Sequence, residues 1–358
     1  MTHASVPVPA PSSRCRPLRV ERDDVLWFVT CRTVEERFWL HPLVSAGLEP
    51  PTGSAKKELL RLERHADRRI ASMVRSANAR KRKFAPLMDA GSVKRIARGL
   101  IGSALARAQE LYDVEVFAFV ALSNHVHLVC RAAQKNLAAF MGYFKARTAD
   151  SVNRITGRRG PLWIRRYDAE PILDDDAAAA LTAYTVRNPV KANLVDHYDE
   201  WPGLNLAYGL ADSDAFDFEY LNCTAWHQAR RPKDLDPFFE AATLTLSPLP
   251  HCADLSREVY RRMLQSWMEE AEAEEDAPMR RALGVKAVVK APFDTRPENP
   301  SFRRRPYAFG SAAAKAKERA MMHMLARDHA AASQRWRSGD HDVPFPPGTY
   351  RPPLVRAA

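Results

Sequence analysis

The sequence predicts an α+β fold, an antiparallel ferredoxin-like sheet in β-α-β-β-α-β order with helices on one face, followed by a mainly helical C-terminal accessory region. Three observations carry this. Segments with a two-residue apolar period alternate with segments of helical period, two of the strand-like segments are separated by only a short polar interruption, and the patterning weakens beyond about residue 210.

Residues 1–22 are rich in proline and serine and read as a disordered tail. The first strand is the β-branched and aromatic run Val25-Leu26-Trp27-Phe28-Val29-Thr30-Cys31. Residues 53–83 form a basic, charged helical insertion. A helix follows over 93–111, with Val93, Ile96, Ala97, Leu100, Ile101, Ala104 and Leu105 at helical spacing. The period then changes to two. Val114 to Leu122 places Val116, Ala118 and Val120 on one face and Phe117, Phe119 and Ala121 on the other, and Ser123-Asn124 leads into a strand from His125 to Cys130.

Asn136 to Ile155 reads as a helix through Leu137, Phe140, Met141 and Phe144, and Leu162 to Leu173 as the last strand of the unit. Asp174-Asp175-Asp176 is an acidic helix start, and the alanine-rich helix it opens is limited by Pro189. The domain reading is therefore a catalytic-type unit over 23–210 and an accessory region over 211–358, with helices from Leu255 to Glu275 and from Ala312 to Gln334.

The chain has 358 residues, 46% of them hydrophobic, enough for a sizeable core. Its formal charge is +11, and the segment from Gly53 to Glu110 holds 15 lysines and arginines against 5 acidic residues, including Arg80, Lys81, Arg82 and Lys83 in succession. Such a concentration points to a phosphate-bearing partner, whereas the acidic run from Glu269 to Asp276 reads as solvated helix surface. Five cysteines at wide spacings, without CxxC, argue against a disulfide framework or structural zinc. No apolar run approaches membrane length and the N-terminus lacks a signal-peptide pattern, so a soluble, cytoplasmic and nucleoid-associated protein without a membrane partner is expected.

The chemistry concentrates in Ser123-Asn124-His125-Val126-His127-Leu128-Val129. Strand residues two apart share a face, so His125 and His127 would present two imidazoles side by side, a platform for a metal ion. Eleven histidines in this length give an HxH by chance roughly one time in three, and two strand histidines also occur as core residues. A second element is Tyr184-Thr185-Val186-Arg187-Asn188-Pro189. Four residues apart on a helix, Tyr184 and Asn188 project from one face, so that a nucleophile and an amide ligand would come from one element. The alternative for Tyr184 is an amphipathic core residue with its hydroxyl at the rim.

Taken together, Phe119 to Val129, Phe144-Lys145 and Asn153 on the following helix, Gly160-Pro161-Leu162-Trp163, Arg166-Tyr167, and Tyr184-(x3)-Asn188-Pro189-Val190-Lys191-Ala192 resemble the REP-associated tyrosine transposases, of the single-tyrosine HUH superfamily, over about residues 24–208. The resemblance implies that His125, His127 and Asn188 hold a divalent metal, Mg2+ or Mn2+, and that Tyr184 attacks DNA. Ligand softness alone ranks Mn2+ higher. It also implies cleavage and rejoining of single-stranded or hairpin DNA through a 5′-phosphotyrosine, in which a cation neutralises and polarises the phosphodiester. The sequence departs from the family pattern at Ser123, where proline is common, at Thr185-Val186-Arg187, which replaces Ile-His-Leu, and in its long basic insertion.

DNA contacts are expected from Arg80, Lys81, Arg82 and Lys83, and from Lys145, Arg165, Arg166, Arg187 and Lys191 in the motif-bearing stretch, with Trp163 beside arginines able to stack an unpaired base or to sit in the core. Two other classes fit the same residues, a DNA-binding regulator of this fold without catalysis and a metal-dependent nucleic-acid hydrolase. A homodimer is compatible with the sequence.

Overall fold

The computed structural model describes residues 18–46, 68–69, 90–274, 281–296 and 307–352. They fall into two compact units, Asp23–Lys315 and a smaller one combining the residues before Asp23 with those from Ala316 onward. The basic insertion lies outside the described residues apart from Arg68 and Arg69.

The larger unit is built on a five-stranded antiparallel sheet in the order β4-β1-β3-β2-β5, with β1 Leu26–Arg32, β2 Glu115–Ala121, β3 His125–Arg131, β4 Asp168–Ile172 and β5 Asn205–Ala207. Three of these strands are apolar on both faces, so each face needs a cover. Helices α1, Ala90–Tyr112, and α2, Leu137–Thr156, bury Trp27, Val29, Cys31, Phe119, Ala121, Val126, Leu128 and Cys130. Helices α3, Asp175–Lys191, and α4, Arg257–Ala273, bury Phe28, Phe117, Ala118 and Val129 on the other side. The expectation of helices on one face therefore fails for α3, because Phe28 and Val129, on the face α1 and α2 leave open, require an apolar partner.

Two strand readings also change. A bulge between Val116 and Ala118 puts Phe117 and Ala118 on the same face as Val120, which strict alternation does not anticipate. The expected strand from Leu162 to Leu173 is divided: Trp163 bridges Thr33 and Asp168 pairs with Thr30, so four residues on this side face two on β1. The surplus bulges outward with the exposed Arg165 and Arg166.

Asp174 caps α3 through its carboxylate, which accepts from the Ala177 amide and, through its other oxygen, from Ser311; these bonds hold its carboxyl below the usual range. Pro189 does not end α3, which continues to Lys191; proline's fixed φ is helical, and only one backbone bond is forgone near the terminus.

Residues 211–315 belong to the same unit as the sheet, and they are less helical than expected. β6, Ala215–Leu221, and β7, Phe239–Thr245, form a second antiparallel sheet on the outer side of α1. Phe216, Phe218 and Tyr220 sit at two-residue spacing, a strand signal present in the sequence. Their approach depends on glycines of α1: a Cβ on Gly99 would lie 1.7 Å from the Glu219 carbonyl oxygen, and one on Gly102 2.3 Å from the Phe218 ring. In the smaller unit, Arg22 holds Glu318 with two bonds of 2.7 and 2.9 Å, and the Glu21 amide donates to the Gly348 carbonyl. Among the described residues no helix is long and apolar enough to cross a membrane.

Two outcomes test this packing. Gly99→Ala should lower Tm by several degrees, since a backbone clash in a filled site costs about 1–3 kcal/mol. Gly142→Ala, exposed on α2 with nothing within 4 Å, should instead stabilise by about 0.5–1 kcal/mol; equal behaviour of the two variants would contradict the packing.

The second concerns His41, whose Nδ1 accepts from the Leu43 amide and whose Nε2 donates to the Val288 carbonyl, 2.9 Å away. Burial, with the charge of Arg69 nearby, pushes its pKa from 6.5 down to about 3. The unfolded chain thus takes up a proton below pH 6.5 that the folded chain refuses, so this stabilisation is complete above pH 6.5 and is lost as pH falls towards 3. His41→Asn, which keeps a cap acceptor without the titration, should show a shallower fall of Tm between pH 6.5 and 4; parallel curves would contradict the account.

Candidate active site

The site lies on the sheet face covered by α3. In β3, Val126 and Leu128 point into the α1–α2 core, so His125 and His127 share the opposite face, their ring centroids 4.9 Å apart and nearly perpendicular. The rows across the sheet are set by register: His127 stands opposite Thr30 of β1 and Val120 of β2, and His125 stands opposite Arg32. Phe28, one row away on β1, stacks on the His127 ring at 5.1 Å.

Tyr184 reaches this face from α3. Its ring meets His127 edge to face at 5.5 Å and Phe28 at 5.9 Å, and the Lys191 ammonium lies 5.2 Å from its centroid. The phenol is thus bracketed by an imidazole, an apolar ring and a cation. Asn188, one turn further along α3, is 4% exposed, and its side chain belongs to the same helix face as Tyr184. The helix is anchored above the sheet by the Asn205 amide, which donates to the Val186 carbonyl, and by apolar packing of Ala178, Leu181, Ala183 and Val186.

Each imidazole is oriented through Nδ1. His125 Nδ1 donates to Asn124 Oδ1 at 2.6 Å, which puts its proton there and makes Nε2 the lone-pair nitrogen. His127, 5% exposed, pairs Nδ1 with Thr30 Oγ1 at 2.9 Å. Second-partner bonds of this kind are what a metal-ligating histidine needs to hold ring and tautomer. Two imidazole nitrogens on one strand face are donors of a type that suits a divalent ion, and Asn188 would bring an amide oxygen from α3. Among the described residues no group of three or more His, Cys, Asp or Glu side chains could hold a metal.

Of the basic residues expected to touch DNA, Lys191 is placed at the tyrosine. Arg165 and Arg166 are exposed on the bulge beside the end of β1, with Arg165 bonded to Asp168 at 3.0 Å. Lys145 donates to the Arg165 carbonyl, 2.7 Å away, and so supports the bulge. Arg187 is 6% exposed and points at Glu272 of α4, 3.6 Å away, which places it in a helix–helix contact. Trp163 is half-buried, its indole N–H donating to the Lys145 carbonyl and its ring against Phe144. Arg80, Lys81, Arg82 and Lys83 lie outside the described residues. Sequence reasoning missed Thr30, Asn124 and Phe28, which orient the histidines; Asn124 is the chain neighbour of His125, whereas only the register of β1 against β3 reveals Thr30 and Phe28.

Thr30→Val keeps shape and removes the hydroxyl that holds His127. The affinity for Mn2+, followed by calorimetry, should fall about 10- to 100-fold with Tm little changed; an unchanged affinity would show that the Thr30 hydroxyl plays no part in metal binding.

No family model matches the chain, and no curated protein is similar to it at a significant level. Among solved structures it is similar to a REP-associated tyrosine transposase bound to a REP hairpin, with 13% identity, a TM-score of 0.30, and 54% of this chain and 81% of that one covered.

Proposed function

We propose that the protein is a metal-dependent DNA strand transferase that cleaves and rejoins single-stranded or hairpin DNA through a 5′-phosphotyrosine on Tyr184. The observation that carries the reading is the meeting of three rings from two elements, His125 and His127 from β3 and Tyr184 from α3, on one sheet face. A buried-core role does not need both imidazoles oriented through Nδ1 beside a half-buried phenol.

A divalent ion bound at His125, His127 and Asn188 would offset phosphodiester charge and polarise phosphorus. Within this chain, β3 fixes the histidines, α3 carries Tyr184 and Asn188 together, and Phe28 holds the tyrosine ring from the side. In the step itself, Tyr184 Oη forms a bond to phosphorus and loses its proton, while the P–O3′ bond breaks and the 3′-oxygen leaves as a hydroxyl. The phosphoester is conserved, so a 3′-hydroxyl of the same or another strand reverses the step without ATP. In-line attack needs an accessible backbone, which favours unpaired DNA as substrate.

The test is a denaturing gel after incubation with end-labelled single-stranded DNA and Mn2+. Wild type should give a protein-linked label. Tyr184→Phe should abolish adduct and cleavage, whereas Phe variants of Tyr143, Tyr167 and Tyr198 should retain them. Free cut DNA without adduct would instead mean hydrolysis, and binding without cutting would mean a DNA-binding regulator; either overturns the reading.

A further inference from the structure

The helix α5, Ala312–Arg337, has 26 residues and so spans about 39 Å. Within the smaller unit one side faces inward: Met321, Met322, Leu325, His329, Ala332, Ser333 and Trp336 are half-buried or buried and follow one another at three- and four-residue spacing. The opposite side carries Arg319, His323 and Arg327, four residues apart in each case, and Arg337, ten residues past Arg327 and about five turns above Arg319, all exposed. Arg319, His323 and Arg327 follow one another about 6 Å apart along the axis, and Arg337 lies about 15 Å beyond Arg327. No described residue pairs with Arg319 or Arg337. Arg327 meets only Asp328, at 3.4 Å between side chains that are 76% and 56% exposed, an ion pair weak enough to exchange for another anion.

We propose that this basic stripe is a docking surface for the phosphate backbone of duplex DNA. Charge complementarity carries the argument. A helix side carrying Arg319, Arg327 and Arg337, with Ala326, Ala330 and Gln334 among them, can lie close against a polyanion. Duplex DNA is stiff and of regular charge spacing, whereas an anionic membrane would require an apolar helix face to insert. The apolar side chains of α5 are turned inward apart from Met324, too small a face to insert. The inference rests on the proposed DNA strand transfer only for the identity of the polyanion, and it involves neither Tyr184 nor the histidines.

The experiment uses the full chain and a labelled blunt duplex, with binding followed by anisotropy over a range of salt concentrations. Replacing Arg319 and Arg327 together by glutamine, a residue of similar helix propensity, should weaken binding and reduce the slope of log affinity against log salt by about 1.8, at about 0.9 for each phosphate no longer neutralised. Lys317→Gln, on another side of the same helix, is the control and should leave the slope unchanged. An unchanged slope in the double variant, an equal loss in Lys317→Gln, or wild-type binding to phosphatidylserine vesicles but not to duplex would each overturn the proposal. A failed adduct assay together with a duplex slope that depends on Arg319 and Arg327 would sink the tyrosine chemistry and leave this surface standing.

Discussion

The register of β1 against β3 is the constraint on which the rest of the molecule depends. Thr30 stands opposite His127 and Phe28 opposite Val129. Because side chains alternate across a strand, a slip of one residue would turn both histidines into the α1–α2 core and bring Val126 and Leu128 out under α3. The slip is opposed from both sides of the sheet, by Leu128 and Cys130 on one and by the Phe28 and Val129 packing on the other. The same register delivers the Thr30 hydroxyl to His127 Nδ1 and the Phe28 ring to its face. Core packing and site geometry are thus one constraint, and the polar site requires no local strain to hold it.

A sheet apolar on both faces asks for two helical layers, and these divide the work. The α1–α2 layer is apolar and, through Gly99 and Gly102, supports the second small sheet on its outer side. The α3–α4 layer carries the candidate site. There α3 is fixed by Ala and Val packing, by the Asp174 cap and by Arg187 reaching to Glu272, so that Tyr184 meets His127 from a well-anchored element. Removing Arg187 would loosen that helix pair, which is a different consequence from weaker phosphate binding.

Much of this was legible in the sequence where local periodicity and burial agree. β1, the β2–β3 pair, α2 and the start of α3 were marked by apolar spacing and by the acidic cap, and the shared face of His125 and His127 follows from strand geometry alone. What was not legible depends on partners distant in the chain. The bulge at Phe117 and the bulged Arg165-Arg166 segment arise from pairing with other strands, and no property of those residues announces them. The side of the sheet taken by α3 depends on which face α1 and α2 leave open. β6 was a lapse of a different kind, since Phe216, Phe218 and Tyr220 alternate plainly. The orienting roles of Thr30 and Phe28 required the register, that of Asn124 the turn between β2 and β3, and an amide as third donor is a proposal built on the position of Asn188 in α3.

The central claim is that the paired imidazoles on the α3 side of the sheet are a metal platform addressed by Tyr184. Anomalous diffraction from crystals grown with Mn2+ tests it directly. The account predicts one strong peak about 2.1 Å from the Nε2 atoms of both His125 and His127, with the Asn188 side-chain oxygen in the same coordination sphere, Nδ1 of His127 still bonded to Thr30, and Tyr184 Oη facing an open position of the ion. A metal bound elsewhere, or histidines that keep their packing in saturating Mn2+ with no peak between them, would contradict it.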